Sequence, residues 1–113
     1  MAKGLTNSHL EYLDISNNAV NPYGAKALLN YLEVAKTLKQ LHISNCGLGP
    51  LGVKEIAAGF KGMPNLEVLS IGRNRMENEG ITYIANEIQH LANLKGLYVY
   101  QNTLKKDGLK PLF

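Results

Sequence analysis

The chain is 113 residues long, which suits one folding unit, and 45% of its residues are hydrophobic, which is ample for a core. No apolar run reaches the length of about 18 residues that a membrane-spanning helix requires, and the first residues lack the apolar stretch of a secretory signal. The net charge of +3 is mild and the lysines are scattered, so we expect neither nucleic acid nor a membrane as partner. The single cysteine, Cys46, excludes an internal disulfide and fits a reducing compartment.

The sequence repeats itself every 28 residues without an insertion or deletion. Similar residues recur in fixed columns through four copies of the repeat. Two of these columns consist entirely of leucine. The main columns are Leu10, Leu38, Leu66 and Leu94; Leu13, Leu41, Leu69 and Leu97; Ile15, Ile43, Ile71 and Val99; and Asn18, Cys46, Asn74 and Asn102. This spacing is the signature of leucine-rich repeats. We therefore predict an α/β solenoid of the ribonuclease-inhibitor-like type, a short right-handed arc with a parallel sheet on the concave face and helices outside.

We predict one domain over residues 1–113, with units at 10–37, 38–65, 66–93 and 94–113, and with 1–9 as the tail of a preceding repeat. Each unit begins with the period-two alternation of a short strand. In the first unit Leu13 and Ile15 point inward, whereas Tyr12, Asp14 and Ser16 point outward. The asparagine or cysteine that follows is expected to form a ladder of side chains that satisfy the backbone of the turn.

A helix is predicted after each turn. Asn21 and Pro22 are expected to be the N-cap and first residue of the first helix, and Gly49 and Pro50 start the second, while Asn78 replaces the proline in the third. Apolar residues then recur at the spacing of one helix face. These residues are Ala25, Leu28, Leu29 and Leu32; Val53, Ile56, Ala57 and Phe60; and Ile81, Ile84, Ala85 and Ile88.

Two columns beside the ladder are not explained by the core. We expect Asn17, Asn45, Arg73 and Gln101, together with Ala19, Gly47, Arg75 and Thr103, to line one rim of the arc. The outward strand positions should form the concave face, where His42 is expected to be a contact residue. A polar rim beside a floor of small residues favours the docking of a folded protein. The alternative is that these loop positions are polar only because they face water.

Several sharper motifs do not carry a site. Residues 47–52 match G-x-G-x-x-G, but the glycine at 52 belongs to a column shared by all four units, so the repeat explains it. The three histidines lack the spacing of metal ligands. No serine, histidine and carboxylate set is evident. We therefore expect no cofactor, no metal and no substrate pocket of the chain's own.

One set of motifs is more specific than the repeat. ISNNAVNP (15–22), ISNCGLGP (43–50), IGRNRMENEG (71–80) and VYQNTLKKDG (99–108) occur in this order. They resemble four consecutive repeats of the Ran GTPase-activating proteins, a resemblance that covers residues 10 to 110.

The resemblance implies a regulator of GTP hydrolysis rather than an enzyme with its own substrate. Its partner would be a small GTPase of the Ran type in the GTP form, and it would act in nucleocytoplasmic transport, in the cytoplasm or at the nuclear envelope. Asn45 would have the catalytic role, because it would hold the GTPase's own glutamine against the attacking water. Arg73 and Arg75 would dock an acidic patch of the partner, and Asn17 and Gln101 would extend that rim.

Two other interpretations stay open from the residues. The chain could be a non-catalytic leucine-rich-repeat module that binds another protein through His42, Tyr98 and Tyr100. It could also be a structural piece of a longer solenoid, which would self-associate through uncapped ends.

Overall fold

A computed structural model describes residues 9–100 of the chain. In this range, strands and helices alternate along the sequence. The strands are β1 (Tyr12–Asp14), β2 (Gln40–His42), β3 (Val68–Ser70) and β4 (Gly96–Tyr98). The helices are α1 (Asn21–Leu32), α2 (Gly49–Ala58) and α3 (Glu77–Glu87), and short 3₁₀ helices follow at Phe60–Gly62 and Ile88–His90.

The four strands form one parallel sheet in the order β1-β2-β3-β4. Leu13 pairs with Leu41, Leu41 with Leu69, and Leu69 with Leu97, so the sheet register equals the repeat of the sequence. Parallel neighbours need a crossover connection, which α1, α2 and α3 supply. The predicted leucine-rich-repeat architecture is confirmed: a four-stranded parallel sheet with helices packed as a second layer.

The core lies between the sheet and the helices. Leu41 and Leu69 of the two central strands are fully buried, whereas Leu13 and Leu97 of the outer strands are only half-buried. Burying one such side chain stabilises the fold by about 1.5–3 kcal/mol. The second and third units therefore hold the most complete part of the core.

The helix starts differ from the prediction in one respect. Asn21 is the first residue of α1 rather than its cap, and no side chain caps the helix. Asn21 has a positive φ of 58°, which lies outside the β-region that a capping residue typically adopts. Phe60 and Ile88, predicted on the helix stripes, instead lie in the 3₁₀ helices after α2 and α3, where Phe60 is nevertheless fully buried.

At the amino edge of the sheet, the side chains of a second polar column donate to backbone carbonyl oxygens 27 or 29 residues earlier in the chain. Thr37 donates to the Leu10 carbonyl oxygen at 2.7 Å. Asn65 and Asn93, each 28 residues further on, donate to the carbonyl oxygens of residues 36 and 64 at 2.7 and 2.9 Å. The contacts of Asn65 and Asn93 repeat at the same spacing, and each of the three side chains has a structural partner.

Within residues 9–100 no helix has the length and apolar character needed to cross a membrane. The predicted tail at residues 1–8, the fourth unit beyond residue 100 and the rim residue Gln101 lie outside the described residues.

Candidate functional site

At the carboxyl edge of the sheet, each strand turns outward through a bend. We call residues 17–21, 45–49 and 73–77 the first, second and third bends. Each begins with a residue in the left-handed region: Asn17 (φ 64°), Asn45 (φ 52°) and Arg73 (φ 54°). Asparagine tolerates this conformation, whereas for most other side chains it costs about 1–2 kcal/mol.

The second and third bends follow the same backbone path with different residues. In the second bend the next left-handed positions are Gly47 and Gly49, with φ of 67° and 61°. In the third bend the equivalent positions are Arg75 and Glu77, with φ of 50° and 57°. The third bend therefore holds long charged side chains where the backbone favours glycine, and such strain is common at binding sites.

Beneath the bends, Asn74 is fully buried and satisfies five backbone groups with its side chain. Its Oδ1 accepts the N–H groups of Cys46 and Leu48 at 2.8 and 3.4 Å. Its Nδ2 donates to the carbonyl oxygens of Ile43 (2.8 Å), Ile71 (3.0 Å) and Gly72 (3.1 Å). Asn74 is thus the rung of the predicted ladder with the most hydrogen bonds, and it connects the second bend to the third.

The other described rungs of the ladder are weaker. Cys46 is buried, and its thiol lies 3.2 Å from the Ile15 carbonyl oxygen and 3.4 Å from that of Ser44. Burial raises the pKa of the Cys46 thiol above its ordinary value, because the thiolate would lose its hydration. The side chain of Asn18 is exposed and, within residues 9–100, donates only to carbonyl oxygens two and three residues before it. The thiol thus has a structural environment rather than that of a nucleophile.

A cavity of about 350 Å³ opens between the second and third bends, and we call it the bend cavity. Asn45, Gly47 and Gly49 line one side, and Arg73, Asn74 and Arg75 line the other. Asn45, Arg73 and Arg75 are all exposed to solvent. The structure therefore brings three of the predicted site residues to one opening, which can offer amide and guanidinium donors to a ligand.

Asn17 is linked to this group through Asn45. The Nδ2 of Asn45 donates to the Oδ1 of Asn17 at 3.0 Å, between side chains 28 residues apart. Asn45 is not turned into the core, and its hydrogen bond joins it to another exposed side chain. Asn17 itself is not among the residues that line the bend cavity.

The predicted contact residue His42 lies on the concave face, next to the bends but not in the cavity. Its Nε2 is 3.1 Å from the Oε1 of Gln40, and its ring centroid is 5.1 Å from that of Tyr12. Asp14 pairs with His42 across the strands. The Ser16 backbone N–H, which donates to Asp14 at 2.9 Å, is the main cause that lowers the pKa of this carboxyl, with smaller contributions from the Ser16 hydroxyl and His42.

On the rest of the concave face, small side chains lie in the centre, and aromatic side chains lie at the end of β4 and just after it. The hydroxyls of Ser44 and Ser70 are 2.9 Å apart. Tyr98 and Tyr100 are each about half-exposed. Atoms of the Tyr100 ring and backbone lie within 3.3 Å of where a Cβ on Gly72 would be, so this ring packs against the glycine that follows β3.

The structure places Asn45, Arg73 and Arg75 at this opening, but Gly49, which also lines it, was not among the predicted site residues. The repeat explained it only as a helix start, whereas the structure makes it part of the cavity wall. Gly49 has a positive φ, and the sequence pattern does not reveal this backbone conformation. Among residues 9–100, no three histidine, cysteine or acidic side chains are grouped in a way that could hold a metal ion.

The family and structure comparisons agree on the repeat. A family model described as "Leucine Rich repeat" matches residues 6–29, 34–57 and 62–85. Among solved structures, that of leiomodin-1 actin-binding site 2 superimposes with a TM-score of 0.76 at 16% sequence identity. The match covers 88% of this chain and 58% of that one, so this chain spans little more than half of its structural neighbour. No curated protein shows significant sequence similarity to the chain.

Neither similarity reaches the features specific to Ran GTPase-activating proteins. At this level of identity the structural match shows the fold alone. The resemblance of the four motifs to that family, and the roles it implies, therefore stay predictions.

Proposed function

Because the chain belongs to the leucine-rich-repeat family, we propose that it is a protein-binding module that docks one folded partner against its concave face and bend cavity. The observation that carries this proposal is the joining of Asn45, Arg73 and Arg75 at one cavity beside the sheet. Their columns contribute nothing to the core, and their side chains are exposed. The neighbouring face adds half-exposed tyrosines, a residue type that is enriched among the hot spots of protein interfaces.

Within this function, the finer proposal is that the partner is a Ran-type GTPase in its GTP form and that binding accelerates hydrolysis. The support is the motif resemblance together with the exposure of Asn45 beside two arginines. A carboxamide can donate and accept at once, so it can hold the GTPase's glutamine in the position that orients the attacking water. In this proposal the arginines dock the partner and do not enter its active site.

The test is single-turnover hydrolysis of GTP bound to purified Ran, with and without the chain. We expect acceleration by the unaltered chain and a loss of roughly 100-fold of that acceleration in Asn45→Gly, the size associated with one lost transition-state hydrogen bond. Glycine keeps the left-handed backbone at φ 52°, so the variant removes the amide without straining the bend. Asn18→Ala is the matched control, because Asn18 is an exposed asparagine that does not line the cavity.

A second candidate is a module that binds its partner without affecting hydrolysis. The aromatic residues at the end of β4 and just after it favour this candidate, since Tyr98 and Tyr100 are about half-exposed and are not among the residues that line the bend cavity. Binding of Ran·GTP or of monomeric actin, the ligand named for the leiomodin-1 structure, would be measured by titration calorimetry. Binding that Tyr98→Ala abolishes and Asn45→Gly leaves intact, with no change in hydrolysis, would favour this candidate and refute activation.

A further inference from the structure

The side of the bend cavity that Gly47 and Gly49 line has free space at Gly49. A Cβ built on Gly49 meets no atom within 4 Å, so a side chain there would extend into free space. Gly47, on the same wall, differs, because its Cβ would lie 2.8 Å from the Oδ1 of Asn21. A side chain introduced at Gly49 by substitution can therefore extend into the bend cavity.

The opposite wall carries a cation that the fold does not require. Arg75 is exposed, and no residue among 9–100 forms an ion pair or hydrogen bond with its side chain. Its backbone has a φ of 50°, at a position that the second bend fills with Gly47. A long side chain held in an unfavourable conformation without an internal contact points to a ligand outside the chain.

The chemistry of the wall specifies the ligand. Guanidinium presents a planar fork of N–H donors that matches a carboxylate in two parallel hydrogen bonds. Arg73 adds a second positive charge at the same opening, and Asn45 adds an amide. We propose that the bend cavity binds one carboxylate side chain, aspartate or glutamate, of the protein partner. The identity of that partner rests on the proposed function, but the carboxylate site does not.

The site can be tested without knowing the partner, by supplying the carboxylate from Gly49. Gly49→Asp and its neutral counterpart Gly49→Asn both tolerate the φ of 61°, and the acidic Glu77 already adopts this conformation at the equivalent position of the third bend. We expect Gly49→Asp to melt roughly 2–4 °C higher than Gly49→Asn at low salt, as an ion pair of ordinary strength would give. The pair Gly49→Glu and Gly49→Gln repeats the comparison with one more methylene of reach.

Two conditions must remove this difference if the carboxylate pairs in the cavity. High salt screens the pair, and Arg75→Gln removes the cation while keeping a side chain of similar length. A difference that persists in the Arg75→Gln background would place the effect elsewhere and overturn the site. Equal melting temperatures within both acidic and neutral pairs would also overturn it.

A second measurement reads the arginine directly. Titration of the unaltered chain with sodium acetate should shift the Nε–H resonance of Arg75 in a ¹⁵N-correlated spectrum, and Gly49→Asp should prevent the shift. A response to inorganic phosphate but not to acetate would make this a phosphate site and overturn the proposal. If the Gly49 variants and acetate behave as expected while neither Ran·GTP nor actin binds, the carboxylate site stands and the proposed partner falls. If Asn45→Gly abolishes partner binding while the Gly49 pairs show no difference, the reverse holds.

Discussion

Two neighbouring columns of the repeat meet opposite environments at one edge of the sheet. The ladder column (Asn18, Cys46 and Asn74) turns inward in the central units, and Asn74 is fully buried with five hydrogen bonds to the backbone. The rim column (Asn17, Asn45 and Arg73) lies one residue earlier in the sequence and is exposed throughout. The comparison teaches that the backbone limits which residues can occupy the inward column, whereas the exposed outward column is free to vary without loss of core contacts.

The strongest way to break this comparison is Asn74→Ala. The substitution leaves buried N–H and carbonyl groups of two bends without partners, and each such group costs about 1–3 kcal/mol. We expect the free energy of unfolding, measured by urea denaturation, to fall by about 3 kcal/mol or more. The same substitution in the exposed rung, Asn18→Ala, should lower it by about 1 kcal/mol or less. Equal losses at the two rungs would show that burial does not distinguish them.

A stabilising change is expected on the outward side. Arg75→Gly relieves a left-handed conformation, and after the greater chain entropy of glycine in the unfolded state is allowed for, stability should rise by about 0.5–1 kcal/mol. Arg75→Ala keeps the unfavourable φ and should bring no such gain. Both variants should weaken partner binding, so stability and function should move in opposite directions in Arg75→Gly. A loss of stability in that variant would mean that the guanidinium supports the fold.

The central rung should also respond to alkaline pH. Because burial raises the pKa of the Cys46 thiol, the unfolded chain releases this proton first as the pH rises. The free energy of unfolding should therefore fall as the pH passes upward through the ordinary range of a thiol, near 9.0, until the folded thiol also ionises. Cys46→Ser keeps a hydroxyl donor for the same carbonyl oxygens and does not ionise there, so it should flatten this part of the urea-midpoint profile against pH.

The smallest effect belongs to Asp14 on the concave face. The Ser16 N–H holds the pKa of this carboxyl below its ordinary value. Its contribution to stability is therefore present above that ordinary value and is lost as the pH falls through the lower folded one. Asp14→Asn should remove this part of the acid dependence of the urea midpoint. If the urea midpoint of Asp14→Asn falls at acid pH as much as that of the unaltered chain, the hydrogen bond from Ser16 to Asp14 does not stabilise the fold.

Much of the fold followed from the repeat. Leucine columns spaced by 28 residues predicted the strands, their parallel pairing and their register, because in-register stacking is the arrangement that buries every copy against its neighbour. The helix starts were predicted less well. Proline indicated the right neighbourhood, but the left-handed residue before it, as at Asn21, belongs to the path of the bend and not to helix capping.

The sequence by itself determined which columns face the core, since apolar side chains at a fixed period lie on the same side of every unit. It also separated the rim column from the core columns. Only the tertiary structure decided that Asn45 and Arg75, 30 positions apart in the chain, share one cavity, and that Gly49 forms its open wall. The physical reason is that the direction in which a side chain points follows from its position in the repeat, whereas the shape of a cavity depends on how the backbones of two bends turn relative to each other.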